Sequence, residues 1–564
     1  MTRYNYKYIM ISLGIAATLT GCADIDDQNP EGFVITDEQK TQTVEAVPER
    51  MKADLAGMYT MMGKIGSYFG EDANGTANPR DDDGGYPSVC LSNDLNGPDM
   101  VSDNSGYNWF SVASEYTDRT PNYANPRMRY GLFYNLIKAA NDIIASVGED
   151  TEDASLKQFV GQAKACRAFS YLNLVPYFQF NYKTSADKPA VPLVLETTTD
   201  YSNNPRATVA EIYTQIEKDL LSAREQLDGY TSTDNSYITK AVCDGLLARM
   251  YLSMAEYAKA AEYAQYAIDE SGATPATREE VSHPYFYDKS EHNWMWSIAV
   301  STSDVVNFPL PSWPSQLGSF SGQSYTAYAS LYRRINPLLF NKISDTDIRK
   351  QWWLDEERHS SLLDGLSWTG IVKDGSTVTA TEQDIVDAVF PDVKTAFTTY
   401  TNVKFGMKSG IGSTTNNNDW PLMRVEEMYL IKAEGLAMSG SIGAGKQVLE
   451  DFVKAYRDPS YTCTASDEKS FQNEVWFQRR VELWGEGFSM FDIMRLGKPV
   501  VRFHGSDKGI WPDAFCFNIQ ANDGYLLMRF SQKETNNNSA IVNNTDGSLP
   551  VSMQNPNLTD GVTD

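Results

Sequence analysis

The sequence predicts a mostly α-helical protein, in which a scaffold of tetratricopeptide-like helix pairs carries long irregular loops. Apolar residues recur at helical spacing over 133–147 and again over 209–227, which indicates helices with one buried face. Residues 241–267 follow the small and large apolar positions of one tetratricopeptide unit. One such unit cannot bury its own faces, so we expect further pairs to stack on it, with 420–456 as the second candidate.

Residues 1–22 have the features of an export signal. Arg3 and Lys7 precede an apolar run over 9–19, which is too short to cross a bilayer as a helix. The residues Leu19-Thr20-Gly21-Cys22 then resemble a bacterial lipobox, in which the Cys22 thiol is acylated. Several acyl chains anchor a protein stably where one does not, so we expect a lipid anchor at Cys22. The alternative is an ordinary secretory signal that happens to end in cysteine.

The residues after Cys22 predict where the anchored protein is placed. The acidic stretch 23–27 is similar to the tag that sends some lipoproteins to the outer cell surface. We therefore expect a lipid-anchored protein on the surface of the outer membrane. The chain divides into a signal peptide with lipobox at 1–22, a flexible tether at 23–40 and a single α-helical domain at 41–564.

Local signals place further helices along the body of the chain. Thr208 precedes the second periodic run and Glu211 follows three residues later, which is a capping box. An apolar run from Phe159 is expected to end at Pro176, which cannot donate a backbone N–H. Further helical segments are expected at 43–64, 420–438, 444–456 and 470–487.

Three helix-poor stretches separate these segments and are rich in Gly, Ser, Asn, Pro, Trp and Tyr. They cover 66–123, 272–326 and 360–419. Loops of this length inside a compact domain usually carry function. We therefore look for the binding residues in these stretches.

The charge and the cysteines exclude several classes of function. The 564 residues contain 48 Lys and Arg against 74 Asp and Glu, a net charge of −26 that repels phosphate backbones and argues against nucleic-acid binding. Five cysteines remain after Cys22, with wide spacing and no CxxC pair, so neither a disulfide framework nor a structural zinc site is expected. Cys166 and Cys243 lie among small and apolar residues and are interpreted as packing thiols.

A series of motifs resembles the SusD/RagB family of surface lipoproteins in the order that the family has them, and the series covers most of the chain. After the lipobox, the matching segments are SNDL at 92–95 with Asp99 and Met100, AKACRAF at 163–169, VPL at 191–193, RATV at 206–209, RVEEMYLIKAE at 424–434, and QRRVELWGEGF at 478–488 followed by Asp492 and Arg495.

This resemblance implies a function as well as a fold. Family members are mostly helical, use their loops as the ligand face, bind nutrients that are usually oligosaccharides, and sit as a lid on a SusC-like TonB-dependent transporter. They are not catalysts. One branch captures peptides, so a RagB-like peptide-binding function stays open. A surface glycosidase or peptidase also stays open, as does a lid that has no ligand affinity of its own.

Several motifs that suggest chemistry have simpler interpretations. The charged block from Arg479 to Arg495 contains Glu482 and Glu486 four residues apart, which could serve glycoside hydrolysis, but in the family this block is structural. Residues 440–446 imitate a phosphate-binding loop but join two helices. No cofactor is expected. Residues 81–85 (DDDGG) could offer oxygen ligands to calcium, although a solvated acidic loop is the favoured interpretation.

Aromatic residues in the loops are the candidates for ligand contact. A flat aromatic ring covers the apolar face of a sugar, while Asn, Asp and Arg side chains bond its hydroxyls. The alternative for each aromatic residue is core packing or contact with the transporter. The candidate ligand-binding residues are Arg80, Asp83, Tyr107, Asn108, Trp109, Trp313, Tyr325, Trp352 and Trp353.

Overall fold

The computed structural model describes most of the chain beyond the tether. The described residues are 44, 47–66, 80–105, 109–232, 234–329, 331–366, 368–373, 376–380 and 396–564. The expected signal peptide, the lipidation site Cys22 and the tether therefore lie outside the described residues, and so do Tyr107 and Asn108.

Helices dominate the described residues, as the sequence predicts. The longer helices are α1 (Met51–Gly63), α2 (Tyr86–Asn96), α3 (Ala124–Val147), α4 (Ala154–Phe178), α5 (Val209–Gln226), α6 (Lys240–Met254), α7 (Tyr257–Ser271), α8 (Val425–Met438), α9 (Ile442–Tyr456), α10 (Glu468–Glu482) and α11 (Ser489–Leu496). Short α-helices cover Ser111–Ser114, Tyr182–Ser185, Thr302–Val306, Trp313–Gln316, Tyr325–Tyr328, Pro337–Phe340 and Gln532–Asn537. Single 3₁₀ turns cover Pro48–Arg50, Thr117–Arg119, Glu280–Ser282, Ile348–Trp352, Ser361–Leu363 and Gly524–Leu526.

Strands in the described part of the chain form four separate antiparallel pairs. These are β1 (Met100–Val101) with β5 (Arg334–Ile335), β2 (Pro189–Pro192) with β3 (Arg206–Thr208), β4 (Trp294–Ile298) with β8 (Trp420–Arg424), and β6 (Trp368–Lys373) with β7 (Ser376–Ala380). In the first pair Met100 lies opposite Ile335, which joins the first helix-poor stretch to the chain after the second one. In the third pair Trp294 lies opposite Arg424.

The scaffold is a run of helices in which each packs on the next, from α3 through α9. The pairs α6–α7 and α8–α9 are the two tetratricopeptide-like units that the sequence predicts. Small residues let these units approach closely. A Cβ at Gly435 would lie 2.6 Å from the Tyr257 carbonyl oxygen, and one at Gly445 would lie 2.7 Å from the Ala437 Cβ. Larger side chains at either glycine would push the helices apart.

Several local predictions are confirmed. The Thr208 hydroxyl accepts the Glu211 N–H and the Glu211 carboxylate accepts the Thr208 N–H, which completes the capping box of α5. The segment at 440–446 is the connection between α8 and α9 and the first turn of α9. Cys166 and Cys243 are buried free thiols. None of the helices in the described ranges combines the length and the apolar character that a membrane crossing needs.

The predicted end of α4 is wrong, because the helix continues through Pro176 to Phe178. Pro176 removes one backbone donor, but so near the end of a helix the loss is a single hydrogen bond. The Gln179 N–H still bonds to the Val175 carbonyl at 2.9 Å, so the last turn closes.

Two further boundaries also differ from prediction. Residues 420–424 form β8 rather than the start of α8, since Pro421 disfavours a helical residue before it and the strand pairs with β4. The helix expected over 470–487 ends at Glu482, and Gly485 and Gly487 have positive φ angles of 83° and 90°. Glu482 and Glu486 therefore do not share a helix face.

The two carboxylates nevertheless meet, in a buried network of charged side chains. Arg424 donates from Nε to Glu486 at 2.9 Å and from Nη1 to Glu482 at 3.2 Å. Arg457 donates to Glu482 at 2.8 Å, and Lys404 donates to Glu486 at 2.7 Å. Burial alone would raise the pKa of Glu482, but the Arg457 and Arg424 charges hold it well below its usual range. Buried charges are tolerated when they are paired in this way, so the structural role predicted for this block is confirmed.

Candidate ligand-binding site

The loop before α2 is built around a fixed arginine–aspartate pair. Arg80 donates from Nε and Nη2 to the two carboxylate oxygens of Asp82, at 2.8 and 2.9 Å. Asp82 is buried, whereas Arg80 keeps about a quarter of its side chain exposed (26%). A guanidinium that binds a carboxylate with two parallel bonds cannot rotate freely. The rest of the Arg80 side chain is thereby oriented at the surface.

Glycines let this loop pass close to its neighbours. Gly85 has a φ of +71° and a ψ of −151°, a conformation that is almost restricted to glycine. A Cβ at Gly85 would lie 2.5 Å from the Met62 carbonyl oxygen, and a Cβ at Gly84 would lie 2.3 Å from that of Pro311. The Gly66 N–H also bonds to the Asp83 carbonyl at 2.8 Å. The loop is therefore wedged between the end of α1 and the chain that precedes Trp313.

Trp109 stands over this loop. The guanidinium carbon of Arg80 lies 5.0 Å from the centre of the indole ring, within the range of a cation–π contact. The Asp81 carboxylate lies near the indole: partial burial and the neighbouring Asp82 charge raise the pKa of Asp81 overall, although Trp109 lowers it. Trp109 is still 40% exposed, which is unusual for tryptophan in the described residues. The ring is thus contacted by Arg80 on one face while part of it stays open to solvent.

Tyr325 and Arg333 approach the same loop from the second helix-poor stretch and the chain just after it. Burial raises the pKa of Tyr325 to about 12, and the Asp81 charge adds to this shift, which places Asp81 near the phenol. Burial lowers the pKa of Arg333 to about 9. The Tyr325 hydroxyl and Arg333 Nη2 are buried without a hydrogen-bond partner among the described residues. The antiparallel pairing of β1 with β5 positions Arg333 beside Ser102. The Arg333 Nη1 group donates a hydrogen bond to the Ser102 hydroxyl.

This arrangement has the parts that sugar recognition needs. An exposed, immobilised indole offers a flat face to the C–H side of a pyranose ring. Arg80 and Asp81 stand at its border as a donor and an acceptor for hydroxyl groups. Groups already held in place lose little conformational entropy when a ligand binds.

Four of the predicted aromatic residues are buried. The Trp313 ring packs edge-to-face on Phe405 and Trp420, with centroids 5.7 and 5.3 Å apart, and its indole N–H donates to the Asn418 carbonyl at 3.1 Å. Trp313 is therefore a core residue that presents no face to solvent, which corrects its prediction as a ligand contact. Tyr325 is buried too, but beside the acidic loop.

Trp352 and Trp353 lie in the core, away from any surface. Trp352 is fully buried and donates its indole N–H to the Val281 carbonyl at 3.1 Å. Trp353 packs edge-to-face on Trp484 at 5.4 Å. Neither ring has a face open to a ligand, which corrects the prediction for both residues. Consecutive aromatic residues in a short segment look the same in sequence whether they face solvent or the core.

The aspartates of the loop point to different partners. Asp82 is bound by Arg80, Asp83 is buried, and Asp81 lies near Trp109. The prediction of a solvated acidic loop is therefore wrong, because Asp82 and Asp83 are both buried. No group of three or more potential metal ligands occurs within the described ranges. The candidate site thus consists of Arg80, Asp81, Trp109, Tyr325 and Arg333, and Asp83 is buried in the same loop. Sequence reasoning missed Asp81 and Arg333: the first stood in the same run as Asp83, and the second gave no signal.

Models of known families match two parts of this sequence. A model described as "Starch-binding associating with outer membrane" (SusD-like) matches residues 87–252. A model of the SusD family, which includes RagB, matches residues 377–556. Two curated relatives from Formosa agariphila are similar over almost the whole chain. SusD-like protein P2 is 23% identical, with 96% of this chain and 99% of the relative covered. SusD-like protein P38 is 20% identical, with 89% and 94% covered.

Solved structures share the fold. A SusD-like carbohydrate-binding protein from Bacteroides vulgatus superimposes with a TM-score of 0.67 at 22% identity, covering 87% of this chain and 97% of the other. A laminarin-binding SusD-like protein superimposes with a TM-score of 0.59 at 18% identity, covering 88% and 98%. The mostly helical fold predicted from the sequence is therefore confirmed.

Proposed function

The chain belongs to the SusD/RagB family, and from this membership and the geometry around Trp109 we propose that it binds oligosaccharide nutrients at the cell surface. Bound ligand is then delivered to a SusC-like TonB-dependent transporter in the outer membrane. The protein binds its ligand without cleaving it. The descriptions of two similar proteins support this proposal, since one is called carbohydrate-binding and the other laminarin-binding.

The observation that carries the proposal is the exposed indole of Trp109, which Arg80 contacts on one face and which has Asp81 nearby. The Trp109 side chain is 40% exposed, and this contact of apolar area with water is unfavourable. A sugar ring removes that area and satisfies the polar groups at the border. A peptide would instead be bound mainly through its backbone.

Delivery to a transporter follows from the family and from the predicted lipid anchor. A lipid at Cys22 followed by the tether 23–40 would keep the binding face within reach of an outer-membrane pore. Affinity should be modest, because the ligand has to leave toward that pore. The chain's negative charge makes anionic polysaccharides less favoured ligands than neutral ones.

A binding screen with the lipid-free chain, residues 23–564, tests this function. Affinity electrophoresis with a panel of polysaccharides, laminarin and starch among them, reveals retention by any glycan class, and calorimetry with matching oligosaccharides and with peptides measures affinity. We expect binding to one glycan class and no release of products from a labelled polymer. Binding to peptides alone would move the protein to the RagB-like branch, and product release would make it an enzyme.

The transporter partnership needs a separate test. The full-length lipoprotein, purified from outer membranes in mild detergent, should retain a TonB-dependent transporter through several washes. Loss of glycan uptake on deletion of the gene, together with normal transporter levels, would support delivery. Unchanged uptake in the deletion strain would contradict it.

A further inference from the structure

A cleft separate from the Trp109 site opens between the helices of the scaffold. It encloses about 80 Å³ and lies between the C-terminal half of α4, α5, α6, the start of α8, the end of α10 and α11. Neither Arg80 nor Trp109 lines it. About 10–15 Å³ of such space admits one water molecule, so the cleft has room for several, and a dry cavity equal to about five waters of liquid holds a benzene ring. The cleft therefore has the size for one six-membered ring.

Aromatic rings supply much of the wall of this cleft. Tyr86 packs on Phe169 with ring centroids 5.3 Å apart, and Tyr182 packs on Tyr213 at 5.2 Å. The Tyr86 hydroxyl donates to Asn173 Oδ1 at 3.1 Å, which fixes the first of these rings. Aromatic rings that are already in place favour another ring at their edges or offset over their faces. The wall therefore suits a flat aromatic ligand.

The charged groups at the inner end of the cleft are paired with one another. Asp492 accepts from Arg479 at 2.8 Å and from Arg495 at 2.7 Å. Arg495 also donates to both carboxylate oxygens of Glu434, at 2.7 and 2.8 Å. The third arginine of the lining, Arg249, has its own carboxylate partner, so three guanidinium groups are matched by three carboxylates. An ion that entered would lose its hydration without finding a free charge to compensate it, which favours a neutral ligand.

Arg249 offers the cleft a hydrogen-bond donor. Within the described part of the chain its bonds come from Nε and Nη2, to the Glu427 carboxylate at 3.0 and 2.6 Å and to the Leu422 carbonyl at 2.7 Å. These bonds leave Nη1 as the remaining donor. Arg249 is also the most accessible of the three arginines, with 13% of its side chain exposed against 3% for Arg479 and 7% for Arg495. A neutral oxygen on the ligand can accept from this donor.

The mouth of the cleft is formed by half-buried residues that include Leu172, Ser253 and Phe491. We propose that the cleft binds a small neutral aromatic molecule with a hydroxyl group, whose ring lies between the aromatic walls and whose oxygen accepts from Arg249. Pockets with mostly apolar walls and a few convergent polar groups are the usual form of small-molecule sites. This site is independent of the proposed glycan function.

Benzyl alcohol is the probe for this proposal, and benzoate and benzylammonium carry the same ring with opposite charges. Saturation-transfer NMR titrations of the lipid-free chain at pH 7 should show saturable binding of benzyl alcohol and at least tenfold weaker binding of both ions, because the charges of the lining are already paired. Cyclohexylmethanol, which lacks the aromatic ring, should bind about threefold more weakly or worse. Either ion binding as tightly as benzyl alcohol would overturn the proposal, and so would equal binding of cyclohexylmethanol. Absence of saturable benzyl alcohol binding to the folded protein would overturn it as well, since the cleft would then hold water only.

Two variants test the location. Leu172→Trp and Ser253→Leu both fill the mouth, and either one that folds should abolish benzyl alcohol binding. Leu221→Trp is the matched control, because Leu221 lies on α5, is 38% exposed and does not line the cleft. Trp109→Ala should leave benzyl alcohol binding unchanged, and a loss of binding in this variant would place the ligand at the glycan site instead. Wild-type benzyl alcohol binding in a folded mouth variant would contradict the assignment.

Discussion

The guanidinium carbon of Arg80 lies 5.0 Å from the centre of the Trp109 ring, and two hydrogen bonds to Asp82 hold that guanidinium in place. A buried carboxylate thus fixes an arginine, and the arginine fixes an exposed indole. The Asp81 carboxylate lies near the same indole. The Trp109 ring, the proposed ligand platform, is therefore part of a rigid loop. Changes to the backbone of this loop should alter the affinity for the ligand.

Gly85→Ala should destabilise the protein and weaken glycan binding together. Gly85 has a φ of +71° that L-residues rarely adopt, and an added Cβ would lie 2.5 Å from the Met62 carbonyl oxygen. We expect a loss in the free energy of unfolding of about 3 kcal/mol or more, from backbone strain plus the collision. Urea denaturation and calorimetry with the glycan measure the two effects.

Gly148→Ala is the matched control for that variant. Gly148 also has a positive φ, of 99°, but an added Cβ would meet nothing within 4 Å. Gly148→Ala should lower the free energy of unfolding by the backbone strain alone, about 1–3 kcal/mol, and leave glycan affinity at the wild-type value. Equal costs for the two variants, or wild-type glycan affinity in Gly85→Ala, would show that the loop does not depend on this close approach.

The scaffold could be predicted from sequence because periodicity and caps are local. The apolar stripe over 133–147 and the Thr208–Glu211 capping box needed no distant partner, and both appear in the structure. Residues 420–424 could not be assigned correctly, because they form a strand only through pairing with β4, more than a hundred residues earlier. The prediction at Pro176 was wrong because the effect of a proline depends on how near the helix end it falls.

Glu482→Gln should be strongly destabilising. Glu482 is completely buried and accepts from Arg349, Arg424 and Arg457. Removing its charge leaves the three guanidinium groups with one buried carboxylate fewer, and breaking a buried pair of this kind typically costs about 3–5 kcal/mol. Urea denaturation at pH 7 measures the loss.

Glu468→Gln on the same helix provides the comparison. Glu468 lies exposed in the first turn of α10 and should change the free energy of unfolding by less than about 0.5 kcal/mol. Because the pKa of Glu482 is held low in the folded state, its contribution is present above the unfolded pKa and is lost as pH falls through the folded pKa. A Glu482→Gln variant as stable as Glu468→Gln would refute a structural role for the block.

Glu291 should make the free energy of unfolding depend on pH in the opposite direction from Glu482. Burial raises its pKa to about 8, although the Tyr287 and Asp288 N–H groups bond one carboxylate oxygen, while the other oxygen is buried without a partner in the described residues. Between the ordinary glutamate pKa of 4.5 and about 8 the folded state binds more protons than the unfolded state. The free energy of unfolding should therefore fall as pH rises through this window.

Glu291→Gln isolates that contribution. The neutral amide removes the cost of ionising a buried group, so the variant should gain stability relative to wild type as pH rises from about 5 to about 9, by on the order of a few kcal/mol. Comparing variant with wild type at each pH cancels the effect of groups such as the buried Lys404, whose pKa is lowered to about 8. A stability difference that does not change across this pH range would argue against a raised pKa at Glu291.

Cys22→Ser should release the protein from the membrane. If Cys22 carries the lipid, the wild type will incorporate radiolabelled palmitate and stay in the membrane fraction, whereas the variant will do neither. Protease treatment of intact cells should cleave the wild type if it faces outward. Palmitate labelling that persists in the variant would rule out Cys22 as the anchor.

The candidate site was only partly predictable. Arg80, Trp109 and Tyr325 were selected because they are the right residue types in long loops, and the structure brings all three to one loop cluster. Trp352 and Trp353, between the second and third helix-poor stretches, are aromatic as well but are buried. Composition identifies which side chains can stack on a sugar, whereas exposure depends on long-range packing, such as the pairing of β1 with β5.

The central claim is that Trp109 is the ligand platform, and calorimetry of Trp109→Ala with the glycan class that the wild type binds tests it most directly. Tyr201→Ala is the control, since Tyr201 is 60% exposed outside the site. We predict about a tenfold or greater loss of affinity for Trp109→Ala, partial recovery for Trp109→Phe because a smaller ring still stacks, and wild-type affinity for Tyr201→Ala. Wild-type affinity in a folded Trp109→Ala protein would contradict the account.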